Sequence, residues 1–94
     1  MTAVRRQSIR GLGAAQVAAM LVLNHWRFAM TPRQIATLSG SPEAGIRKAL
    51  MNLDGRGMAA IETEGDDGNR WHLTADGKAV ADWFRVLAVG GSVE

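Results

Sequence analysis

Two helix-start signals, ten residues apart, constrain this chain more than any other feature: "TPRQ" from Thr31 and "SPEA" from Ser41. Each sets a hydroxyl residue ahead of a proline. Ser and Thr at an N-cap accept from the free amides of the first turn, and proline is tolerated at the first helical position, where its missing N–H is not needed. Gln34, three residues after Thr31, completes a capping box, so the spacing predicts a short helix over Pro32–Leu38. A second helix is predicted to start with Ser41 as cap and Pro42 at its first position. It carries Glu43 in the first turn, where the helix dipole favours an anion, and ends near Asp54 with Gly55 as its stop.

Two helices joined by so short a turn cross steeply and need a small residue where they touch. Ala36 supplies it, Gly40 permits the positive φ that ends the first helix, and Ile46 fills the gap between the two. This spacing resembles the helix-turn-helix of bacterial regulators. Ile46, Leu50 and Leu53, four and three apart, form the inward stripe of the second helix.

The flanks extend the pattern. The Ala-, Leu- and Met-rich stretch from Gly13 to Phe28 favours helix. One stripe takes Ala14, Val17, Leu21 and Phe28, while Met20, Val22, Leu23 and Trp26 fall on other sides, so this helix is apolar nearly all round. A subunit interface and a central helix wrapped by its own chain are equally open explanations. After the helical pair, "MAAIETE" and "NRWHLT" alternate as two strands around "GDDG", the favoured residues of a tight turn. Thr74 then caps a last helix with Val80, Trp83, Phe84 and Leu87 on one face, and "GGSVE" reads as a frayed tail. The expected division is a flexible basic arm (1–12), one domain (13–88) and a flexible tail (89–94).

Ninety-four residues close one modest core. No cysteine is present, which excludes disulfides, thiol nucleophiles and cysteine metal sites and suits a reducing cytoplasm. "MLVL" is the longest run of large apolar residues, too short to span a bilayer. The terminus ahead of it carries charge, but "NHWRFAMTPRQ" after it offers a poor cleavage site for a signal peptide. The net charge of +2 conceals an asymmetry. Arg5, Arg6 and Arg10 lie in the arm, and the remaining body is close to neutral.

Taken together, "IRKALMNLDGRGMAAIE" (46–62) resembles the recognition helix and first wing strand of winged helix-turn-helix regulators. "RWHLTADGKAV" (70–80) is similar to the second wing strand and the "LT-x-x-G" helix start of MarR-like and PadR-like proteins. The resemblance covers roughly Met30 to Phe84. It implies a mostly α fold with a small β-hairpin (α+β), double-stranded DNA as partner, and a homodimer on a pseudo-palindrome.

With Ile46, Leu50 and Leu53 turned inward, the opposite face of the second helix of the pair holds Ala44, Lys48 and Met51, flanked by Arg47 and Asn52. Arg47 and Lys48 suit phosphates or a guanine edge, Asn52 an adenine, and Ala44 and Met51 thymine methyls or, equally, a protein surface. Ser41 and the first-turn amides suit a phosphate. Arg70 is the candidate wing arginine for a minor groove, with Asn69 beside it and Asp66 and Asp67 held away from phosphates. Arg33 near the backbone follows from the resemblance, and Arg5 and Arg6 from the basic arm.

An enzyme lacks its parts. His25 and His72 stand at no metal-ligand spacing, and no nucleophile motif, phosphate loop or carboxylate pair is visible, so no metal or cofactor is expected. A cytoplasmic, sequence-specific DNA-binding regulator is the first expectation. A winged-helix module that binds a protein instead of DNA, or a DNA-bending accessory protein, is the alternative.

Overall fold

The computed structural model describes residues 11–93 in backbone and 11–86 in side chains, so Arg5, Arg6, Arg10 and the Leu87 side chain lie outside the described residues. Among the described residues, four helices and one hairpin follow in the order α1 (Ala14–Trp26), α2 (Pro32–Ser39), α3 (Glu43–Gly55), β1 (Ala59–Thr63), β2 (Arg70–Leu73) and α4 (Ala75–Val93). This is the winged helix-turn-helix, α+β, as the sequence implies. No described helix is long and apolar enough to cross a membrane.

The α2–α3 unit forms for the reasons read from its residues. The Thr31 hydroxyl accepts from the Gln34 amide at 3.2 Å while the Gln34 side chain accepts from the Thr31 amide at 3.0 Å, a complete capping box. Gly40 ends α2 at φ 69, and Ile46, Leu50 and Leu53 are each fully buried. Two details differ. Pro42, not Ser41, occupies the α3 N-cap position, in extended conformation and without a side-chain cap. Ser41 donates its amide to the Ala36 carbonyl and so closes α2, and Pro42 at ψ 139 is itself still extended, so α3 begins at Glu43. At the other end, Gly55 stays inside α3. The stop is a Schellman motif around Gly57 at φ 75. The Met58 amide donates to Leu53 at 2.9 Å and the Gly57 amide to Asp54 at 3.0 Å, which turns the chain into β1.

The stripe read on α1 is out of phase. Its buried face is Ala19, Met20, Leu23 and Asn24, whereas Ala14 is exposed and Phe28 is 55% exposed. Such a uniformly apolar sequence carries no contrast to set its phase, and packing against α3 and α4 decides it. The helix also stops early, at Trp26, with Arg27 in the left-handed conformation at φ 60. Asn24 is held by an amide–carboxylate bond of 2.9 Å to Asp82 of α4.

Strands β1 and β2 pair antiparallel, Ala59 opposite Leu73 and Ile61 opposite Trp71, with an irregularity between Ile61 and Thr63. Met30 joins the hairpin as an isolated bridge. It exchanges two backbone bonds with Trp71, at 3.1 and 2.8 Å, and pins the wing to the start of the helix-turn-helix. At the far end, the Thr74 hydroxyl donates to the Gly57 carbonyl at 2.6 Å and accepts from the Gly77 amide at 3.1 Å, capping α4. Gly77 lies against the Met58 carbonyl so closely that a Cβ there would sit 2.0 Å from its oxygen. The "LT-x-x-G" pattern is thus a packing requirement. Helix α4 continues through Val93, so the segment read as a tail is helical over 89–93. Val80 and Ala81 join Met20, Ile35, Ile46, Leu50, Leu53, Met58, Trp71 and Leu73 in one apolar core.

Candidate nucleic-acid interface

Because Ile46, Ala49, Leu50 and Leu53 are consumed by the core, the 3.6-residue period leaves the other side of α3 to solvent. Ala44, Arg47, Lys48, Met51 and Asn52 are all exposed there, and Met51 is 70% exposed. The structure therefore brings together the α3 residues that the sequence singled out.

The face has two flanks. Toward the wing, Arg47, Met51 and Asp54 form one lip of a trough of about 450 Å³, with Ile61 and Asn69 across it and Pro32 and Trp71 also lining it. Toward α1, Lys48 and Asn52 share a crevice with Gly13, Ala14 and Gln16. Asn52 thus stands at the edge of the face, next to the start of α1. Gly11 lies against the Arg56 side chain, so the segment that carries the basic arm joins the described fold beside the C-terminal end of α3.

The wing tip has a plain geometric cause. The Gly68 amide bonds to the Gly65 carbonyl at 3.1 Å, a β-turn with Asp66 and Asp67 at its centre. Asp67 faces Arg70: a carboxylate oxygen stands 4.0 Å from the guanidinium. Arg47 likewise forms an ion pair with Glu43, one turn earlier on α3. Both pairs are largely exposed and so are weak and exchangeable. Sequence reasoning read the four residues separately and missed the pairings, although spacings of four on a helix and three across a turn were available signals.

Arg33 and Ser41 stand apart from the trough. Arg33 lines a separate groove with Phe28, Met30, Gln34, Thr37 and Leu38, and Ser41 is half-buried at the α2–α3 turn without capping α3. His72, half-buried, alternates with the buried Trp71 along β2. Its Nδ1 is buried with no hydrogen-bond partner among the described residues, and the Glu62 carboxylate at 3.8 Å is beyond hydrogen-bonding reach. Among the described residues, no three His, Asp or Glu side chains converge as metal ligands would.

No protein-family model and no curated protein matches the sequence. Solved structures do match the fold. A candidate DNA-binding protein of Ralstonia eutropha is 26% identical at a TM-score of 0.67, over 79% of this chain and 98% of that one. A MarR family transcriptional regulator of Silicibacter pomeroyi is 24% identical at a TM-score of 0.75, over 89% of this chain and 60% of its own length. Bordetella bronchiseptica BpsR, whose DNA binding is regulated by 6-hydroxynicotinic acid, is 21% identical at a TM-score of 0.71, over 93% of this chain and 68% of that one. The chain thus spans less than two thirds of the length of the Silicibacter regulator.

Proposed function

We propose that the chain is a non-enzymatic, cytoplasmic transcriptional regulator that binds specific sites on double-stranded DNA. The observation that carries this reading is the exposed face of α3 with the wing standing beside it, Lys48 on one flank and Asn69 on the other. Helix α3 docks in a major groove, where Lys48 and Arg47 hold phosphates or base edges and Asn52 reaches the groove's margin. Arg70 enters the adjacent minor groove once it exchanges Asp67 for the DNA. Ser41, Arg33 and the arm residues Arg5 and Arg6 add backbone contacts. The Ralstonia protein, similar over nearly its whole length, supports DNA as the partner class.

A homodimer through α1 and α4 belongs to the same proposal. Val17, Leu21 and Val22 remain only half-buried on α1, and Val86 on α4 is 62% exposed. These leave apolar surface next to the packed pair that a second copy would cover. Two-fold symmetry would then set half-sites about one helical turn, ~10 bp, apart.

A protein-binding role has one specific support: Arg47 and Arg70 both already hold a carboxylate. Selection of bound duplexes from a random pool, with sedimentation of the complex, decides between them. Enrichment of a two-fold symmetric motif by a dimer is expected. A pool that shows no enrichment after repeated rounds would sink the DNA reading.

A further inference from the structure

If DNA is the partner, as proposed above, the chemistry of α3 narrows what it can read further than its charge does. Side chains tell bases apart in the major groove by donors, acceptors and the thymine C5-methyl group. Arg47 is the guanine-reading type on this face, but it stands to one side, on the lip of the trough, and reaches a base only by exchanging Glu43 for it. Lys48 is a point charge suited to phosphate. What remains at the centre of the exposed face is apolar: Ala44 and Met51, seven residues apart and hence nearly superposed around the helix axis.

The trough beside them has the same character. Met51 faces it from α3 and Ile61, 39% exposed, from β1, while Trp71, Pro32, Gly68 and the one uncharged polar side chain, Asn69, also line it. Its charged residues, Arg47 and Asp54, are one cation and one anion, so it offers little net attraction to a phosphate. A large exposed thioether opposite an exposed isoleucine offers a dry, adaptable contact that gains by covering a methyl group. Phosphate attraction sits beside the strip, at Lys48 on the α1 side of the face, which would leave the base edges to the apolar residues between Lys48 and the wing.

We propose that Ala44 and Met51 read thymine methyl groups, with Met51 the principal specificity-determining residue, so that the bound sites present thymines opposite the middle of α3.

The test uses the full chain and the duplex it enriches from a random pool. Each thymine is replaced singly by deoxyuridine, which removes only the methyl, and affinity is read by fluorescence anisotropy. One or two positions per half-site are expected to bind about fourfold more weakly, the worth of one buried methyl-sized group. Met51→Ala should bind the thymine and uracil duplexes alike, Met51→Leu should keep the difference, and Lys48→Ala should weaken both while preserving their ratio. Met51 is surface-exposed, so these variants fold as the parent does. Equal affinity for thymine and uracil at every position would overturn the inference while leaving DNA binding intact. Failure to retain any duplex would overturn both, the outcome expected if this apolar strip serves a protein partner.

Discussion

Gly77 has no room for a side chain, because the Met58 carbonyl occupies the space a Cβ would take. The contact is backbone to backbone, and no rotamer change relieves it. Gly77→Ala is therefore expected to destabilise the domain by about 3 kcal/mol and lower its melting temperature by roughly 10 °C or more in calorimetry. At the wing, Asp67→Asn removes the carboxylate nearest Arg70. It should raise affinity for duplex DNA by about two- to fivefold without altering stability, read by anisotropy beside a thermal melt. Lower affinity would mean that Asp67 positions Arg70 instead of competing for it. The glycine was legible in the sequence as part of the "LT-x-x-G" signature, but its cause was not, since Met58 meets it only in three dimensions. The pairings of Arg47 and Arg70 were legible in spacing and were missed because each residue was read as a lone contact.

At the level of elements, the helix-turn-helix was legible because its signals are local. A capping box, a positive-φ glycine and an apolar stripe each depend on residues within a few positions. Ser41 shows the limit: "S-P" is a start signal only if the serine is free, and here its amide closes the preceding helix. The two caps consequently differ in worth. Thr31→Ala should cost about 1–2 kcal/mol in denaturant unfolding, whereas Ser41→Ala should change stability by less than about 0.5 kcal/mol. Equal losses would restore Ser41 as the cap. Helix α1 was legible as a helix but not in orientation, because a sequence apolar on every side leaves its phase to tertiary packing. The Met30–Trp71 bridge was invisible for a related reason, since one isolated pair leaves no periodic trace.

For the whole molecule, the charge distribution is the governing quantity. A body near neutrality with arginines held by carboxylates has no strong field of its own, so binding rests on a few placed cations and not on bulk attraction. The candidate face was legible residue by residue from the inward stripe of α3. Its division into an apolar trough beside the wing and a polar crevice beside α1 was not, because that depends on where the hairpin and α1 dock. The most direct measurement is the affinity of the chain for its selected duplex across a range of salt concentrations, compared with Lys48→Ala. Binding through α3 and the wing requires log affinity to fall linearly with log salt, and Lys48→Ala to weaken binding and flatten the slope by about one for each protomer bound. Affinity independent of salt, or a Lys48→Ala slope equal to that of the parent, would contradict it.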